Sequence, residues 1–227
     1  MLFYCHGGAF VIGPSTVEWL FVARLARQLG CDFALYDYDR VPEVDSTTIL
    51  SSTLAAYNAI EARYGAAETI MGGLSAGAGL ALATNLRLHR AGRALPRACV
   101  LISPWLDMTV SHPEAVTYAD SDLLLPIASL RRDGELYAGT HALENPLVSP
   151  RFMTDAELAA MPPTVVIAGE QEILLPEGRE LVERLTAAGV ASELVLEQFG
   201  QHAGVMVGTS ESKAALAHAV AALRQPV

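Results

Sequence analysis

Residues 68–82 read ETIMGGLSAGAGLAL. A short apolar run, Thr69-Ile70-Met71, passes through Gly72-Gly73-Leu74-Ser75-Ala76-Gly77 into an Ala/Leu-rich helical pattern that continues to about Arg90. A serine between two glycines at a strand-to-helix turn is the G-x-S-x-G nucleophile elbow. Such a turn presses the residues two before and two after the serine against each other. Only small residues fit there, and Gly73 and Gly77 supply them. Ser75 then stands at the N-terminus of the following helix, where free amides and the helix dipole favour a developing negative charge. Glycine–serine clusters also make ordinary turns. The reading therefore depends on whether the chain supplies a base, an acid and an anion-binding pocket.

Working outward, the chain alternates between two periodicities. Residues 1–5 are an apolar strand ending at His6-Gly7-Gly8-Ala9-Phe10, where glycines turn the chain out of the sheet. From Pro14-Ser15-Thr16 a helical pattern carries Trp19, Leu20, Ala23, Leu25, Ala26 and Leu29 on its apolar positions and closes at Gly30. A strand over 32–36, a polar loop over 37–45 and a helix over 46–64 lead back to the elbow. Beyond its helix come a strand over 98–102, a weakly patterned stretch to Pro163, a strand over 164–168, a helix over 176–188, a strand over 193–197 and a helix over 211–223. Strands alternating with amphipathic helices predict an α/β fold: a parallel sheet with helices on both faces. In such sheets chemistry gathers in the loops at the carboxyl ends of the strands. The polar punctuation falls there, at His6, Ser75, Asp107, Glu170 to Glu172, and His202.

Composition narrows the function classes. At 227 residues, 52% hydrophobic and 18% charged, the chain suits one domain with a sizeable core, 1–227, in which the irregular 108–161 is an insertion. A net charge of −10 argues against nucleic acid and against anionic lipid as partners. Cys5, Cys31 and Cys99 are an odd number in apolar surroundings, which suits buried thiols in a reducing compartment. No run is long enough for stable membrane insertion, and no signal peptide is legible, so the expected location is cytoplasmic. No cofactor or metal is called for. A dinucleotide-binding reading of Gly77 and Gly79 fails because Leu82 stands at the third glycine position.

Six histidines compete to serve as a base for Ser75. His89 and His218 lie in helical patterns, and His112 and His141 lie in the irregular stretch. His202, in Phe199-Gly200-Gln201-His202-Ala203-Gly204, follows the last strand and comes after an acidic loop, in the chain order Ser, acid, His. The acidic loop, 169–175, offers Glu170 and Glu172, and spacing does not separate them. An oxyanion hole would come from backbone N–H groups of the His6-Gly7-Gly8-Ala9 turn and of Ala76, the residue after the serine.

With these motifs in order, the chain resembles the bacterial hormone-sensitive-lipase-like carboxylesterases, lipolytic family IV of the α/β-hydrolase superfamily. HGGAF at 6–10 stands for the family's HGGG stretch and GLSAG at 73–77 for its nucleophile motif. SPWLD at 103–107, NPLVSP at 145–150, PPTVVIAGEQEILL at 162–175 and FGQHAG at 199–204 match further segments. The resemblance implies Ser75 as nucleophile, His202 as base and Glu172 as acid, with glutamate where aspartate is usual. It assigns the hole to the turn glycines Gly7 and Gly8, to Ala9 in place of a third glycine, and to Ala76, and it leaves Trp105 and Asp107 as scaffold. It implies a small-molecule ester of short or medium acyl chain as substrate, and homodimerisation through the last strand. Relatives carry several tens of residues ahead of HGG. The chain is therefore expected to lack the N-terminal cap and the first two strands, as a truncated or a minimal form, and to leave the strand over 32–36 as an exposed edge. A catalytically weak or ligand-binding member of the same fold is the alternative reading.

Overall fold

Strand β1 (Leu2–Cys5) is the first of six that form one sheet in a computed structural model describing residues 1–224. Then follow α1 (Thr16–Leu29), β2 (Phe33–Tyr36), α2 (Ser46–Tyr64), β3 (Ile70–Leu74), α3 (Ala76–Arg90) and β4 (Ala98–Ile102). Helices α4 (Ile127–Ala138) and α5 (Asp155–Leu158) lie between β4 and β5 (Thr164–Gly169), before α6 (Leu175–Ala187), β6 (Ser192–Glu197) and α7 (Ser210–Leu223). The strand order is β2-β1-β3-β4-β5-β6, and every pairing is parallel.

The period of two assigns each strand residue to a layer. Phe3, Met71, Leu101 and Val166 point to one core, with Ile49 and Tyr57 of α2, Leu80 and Leu86 of α3, and Leu181 and Leu185 of α6. Leu2, Tyr4, Ile70, Val100 and Ile167 point to the other, with Phe21 and Leu25 of α1 and Leu216 and Val220 of α7. Helix α3 is buried along nearly its whole length, so its Ala/Leu/Gly content gives it no polar face. Ser15 caps α1 by accepting from the Glu18 amide, and Gly30 ends it at φ +71°.

Two features depart from the periodicity. Trp19 and Leu20 sit on apolar positions of α1 yet are 51% and 56% exposed. The Trp19 ring packs edge-on against Phe33, 5.6 Å away, on β2. Among the described residues β2 pairs only with β1 and is half-buried throughout, so it is an edge of the sheet. Of the cysteines, Cys5 and Cys99 are buried, while Cys31 is half-buried. No helix among the described residues is long and apolar enough to cross a membrane.

Candidate active site

The elbow after β3 is held by backbone alone. The Ser75 amide donates to the Ile102 carbonyl at 2.8 Å, and its own carbonyl accepts from Ala78 at 3.0 Å and Gly79 and Trp105 at 3.2 Å. A Cβ on Gly77 would lie 2.2 Å from the carbonyl oxygens of Cys5 and His6, and one on Gly73 would lie 2.3 Å from that of Gly77. Only glycine is compatible with so close an approach. Ser75 takes φ +54°, ψ −119°, a conformation that costs a residue with a Cβ about 1–3 kcal/mol. Ala9 (φ +52°), Phe10 (+63°), Ser103 (+45°), Phe199 (+56°) and Ala203 (+59°) carry similar strain, all in loops that leave the carboxyl ends of strands.

Glu172 and His202 meet across two of these loops. His202 Nδ1 lies 2.7 Å from Glu172 Oε2, and Glu172 Oε1 accepts from the Gly169 amide at 3.0 Å. Glu172 is fully buried, so its carboxylate is committed to these donors. Glu170, two residues earlier, turns outward and accepts from the Phe199 amide at 2.9 Å. Four other histidines are accounted for elsewhere: His112 faces Glu180, His141 bonds Thr47, His218 pairs with Glu193, and His89 lies in the last turn of α3. Among the described residues no hydrogen bond joins Ser75 Oγ to His202; their loops are linked through Ser103, since the Ala203 amide donates to Ser103 Oγ at 3.0 Å and Ser103 follows Ile102, the acceptor of the Ser75 amide.

The turn after β1 requires one correction. Gly7, counted with the oxyanion hole from sequence, donates its amide to Glu18 Oε1 at 2.8 Å and has no proton free for an anion. The amides of Gly8, Ala9 and Ala76 carry no hydrogen bond among the described residues. Gly8 adopts φ +113°, where a Cβ would fall 2.3 Å from the Ile12 carbonyl oxygen, and that carbonyl's residue closes the turn by donating its own amide to Gly8. Phe10 stacks on Tyr137 of α4, with centroids 3.6 Å apart. His6 is not a second base: it is buried, its Nδ1 donates to the Gly7 carbonyl at 2.5 Å, and its ring stacks on Tyr38 at 4.0 Å. Burial holds its pKa below the ordinary value, although the Gly7 carbonyl and Asp37 oppose the shift.

Several buried carboxylates escaped the sequence reading, Glu18, Glu177 and Asp122 among them. Glu18, in the first turn of α1, is pushed up to about 7 by burial, against the amides of Gly7 and Ser15. Its one signal was the Ser15-x-x-Glu18 spacing, which reads as an exposed capping box. Glu177 on α6 accepts from the amides of Leu106 and Asp107 at 2.8 and 3.0 Å, and burial raises its pKa well above normal. Asp122 ties residues 121–125 to the acid loop. Asp107 behaves as scaffold: it accepts from Thr109 and Ser111 and pairs with Arg151 at 3.0 Å. Among the described residues no cluster of three or more His, Cys, Asp or Glu could hold a metal ion. A recess of about 760 Å³ between Arg97, Pro163, Ala191 and Leu223 lies at the opposite end of the strands and touches none of the candidate residues.

A family model described as alpha/beta hydrolase fold matches residues 2–206. The solved structure of an esterase from the bacterial hormone-sensitive lipase (HSL) family is 32% identical, with a TM-score of 0.91, over 98% of this chain and 75% of that one. The chain belongs to the bacterial hormone-sensitive-lipase-like family of the α/β-hydrolase superfamily. A second solved member, a hormone-sensitive lipase from a metagenome library, is 31% identical with a TM-score of 0.88 over 97% of this chain and 77% of that one. A curated relative, an acetyl-hydrolase of Streptomyces hygroscopicus, is 32% identical over 189 residues, 83% of this chain. This hormone-sensitive-lipase-like chain spans 62% of that relative's length.

Proposed function

We propose that the protein is a serine carboxylesterase acting on short- to medium-chain carboxylic esters. The observation that carries this reading is the 2.7 Å contact of His202 Nδ1 with the fully buried Glu172, in a chain whose Ser75 sits in an elbow turn at the carboxyl end of the same sheet. Glu172 accepts a hydrogen bond from Nδ1–H, which leaves Nε2 as the basic nitrogen. Ser75 Oγ attacks the ester carbonyl carbon and passes its proton to His202 Nε2. The carbonyl oxygen becomes an oxyanion held by the amides of Gly8, Ala9 and Ala76, and Glu172 stabilises the imidazolium. His202 returns the proton to the leaving alkoxide, the alcohol departs and the acyl group stays on Ser75. Water, deprotonated by the same nitrogen, then releases the acid and restores the serine.

The names of relatives, esterase and acetyl-hydrolase, support ester hydrolysis as the reaction class. A small acyl group suits loops whose apolar side chains Ile12, Leu123 and Phe199 are 66%, 79% and 72% exposed, because an open rim buries little of a long chain. Residues 108–161 act as a partial cap on a single catalytic domain. Mass spectrometry after treatment with a p-nitrophenyl phosphonate tests the mechanism: the adduct is expected on Ser75. An unlabelled Ser75, with turnover intact in Ser75→Ala, would refute it. Rates on p-nitrophenyl acetate, butyrate and octanoate test the chain-length preference, and no turnover of any of the three would favour the ligand-binding alternative.

A further inference from the structure

Glu172 and His202 stand on separate loops, and their contact depends on how those loops are held apart. On the sheet side the Gln171 amide donates to the Gly200 carbonyl at 2.9 Å. On the far side both loops meet the turn formed by residues 121–125. Asp122, 8% exposed, closes this turn by accepting from the amides of Leu124 and Leu125 at 2.9 and 3.0 Å with Oδ1. Its Oδ2 accepts from the amide of Ile173, the residue after Glu172, at 2.9 Å. Gln201, the residue before His202, accepts from the Leu123 amide at 2.8 Å and donates Nε2 to the Ser121 carbonyl at 2.9 Å. Ser121 Oγ donates to the carbonyl of Gln171, the residue before Glu172, at 3.2 Å.

Apolar burial does little to seat this turn, because Leu123 and Leu124 are 79% and 59% exposed. Hydrogen bonds hold it, and they end on the chain neighbours of Glu172 and His202. We propose that Asp122 and Gln201 are positioning residues for the esterase reaction, docking residues 121–125 onto the acid and histidine loops and so fixing the Glu172–His202 separation. The proposal rests on the assignment of Ser75, Glu172 and His202 as the triad. Neither side chain touches the reacting atoms; each acts through backbone. A looser separation weakens the hold of Glu172 on the His202 tautomer and on its imidazolium, which lowers kcat with KM little changed.

The test compares Gln201→Ala and Asp122→Asn with the wild type on p-nitrophenyl butyrate, with active sites counted by phosphonate titration. Asparagine offers one acceptor oxygen, so it serves either Ile173 or the Leu124–Leu125 pair. Gln201→Ala exchanges neutral for neutral, so a weakened Glu172–His202 contact in that variant does not come from a lost charge. The carboxylates facing the histidine loop, Glu172, Glu170 and Glu197, are untouched in both. We expect kcat per titrated site to fall roughly 10- to 100-fold, with KM within about twofold. In one-dimensional proton NMR the downfield resonance of the His202 Nδ1–H proton should move upfield or broaden in Gln201→Ala relative to wild type. If kcat per titrated site stays at the wild-type value, or falls with an unchanged Nδ1–H resonance, the positioning role is overturned. A loss of titratable sites or of thermal stability alone also overturns it, since that marks a purely structural turn. Should Asp122→Asn fail to fold, Gln201→Ala decides by the same criteria. Failure of the triad assignment would show separately, as turnover in Ser75→Ala, and would remove both.

Discussion

Glu18→Gln isolates the electrostatic cost of the turn after β1. The wild-type carboxyl is 3% exposed, accepts from the Gly7 amide and has its pKa raised from 4.5 to about 7 by burial. The native state therefore keeps a proton that the unfolded chain gives up between pH 4.5 and 7. Stability contributed by the neutral carboxyl is fully present below pH 4.5 and is lost as pH rises through 7. At about 1.36 kcal/mol for each pH unit between those two values, the loss is on the order of 3 kcal/mol. Glutamine keeps the Oε1 acceptor for Gly7 and has no charge to bury. Urea denaturation at pH 5, 6, 7 and 8 should find the variant within about 1 kcal/mol of wild type at pH 5 and ~3 kcal/mol more stable at pH 8. Turnover should stay within a few-fold, because the Gly7 peptide keeps its orientation and Gly8 and Ala9 keep theirs. Glu18→Ala should destabilise by about 1–3 kcal/mol at pH 5, because it strands the Gly7 amide, and by less at pH 8, where it also removes the buried charge. Parallel pH–stability curves for wild type and Glu18→Gln would refute the reasoning, since they would mean that Glu18 does not titrate differently on folding.

Other perturbations probe the remaining geometry. Glu172→Gln should lower kcat by roughly 10³- to 10⁴-fold in steady-state assays with KM little changed, because the amide presents the wrong partner to Nδ1; Glu170→Gln should leave kcat within a few-fold. Ser75→Gly should abolish turnover yet raise the urea midpoint by an amount equivalent to about 1 kcal/mol, because glycine relieves the strained φ of +54°. Gly77→Ala must push a methyl into the carbonyls of Cys5 and His6, and should cost more than about 3 kcal/mol, read as loss of soluble protein or a collapsed melting transition. Arg151→Met leaves the buried Asp107 carboxylate without its cation and should cost about 3 kcal/mol by urea unfolding at pH 7.

Much of this protein could be read from local pattern. Strands and helices declare themselves by periods of two and 3.6, and the elbow by glycines whose missing Cβ atoms the turn demands; both are properties of neighbouring residues. The loop histidine stood out by position in the chain order. Between Glu170 and Glu172, by contrast, nothing local decides, because both lie in one polar loop. Only the approach of β5 and β6 buries one against His202 and turns the other to the Phe199 amide. Gly7 was grouped with the hole on its motif, and α1 folding back over the turn spends its amide on Glu18. Asp122 and Gln201 left no trace in the sequence, because their bonds to Ile173 and Ser121 span 51 and 80 residues. Trp19 and Leu20 sit on apolar positions, yet among the described residues no other strand pairs with the outer edge of β2 beside them. The sequence by itself determined the elements, the elbow and the order of the chemical groups, since each depends on residues a turn or two apart. The tertiary structure alone decided which carboxylate meets the histidine, which amides remain free and which charges are buried, since these depend on the packing of segments distant in the chain.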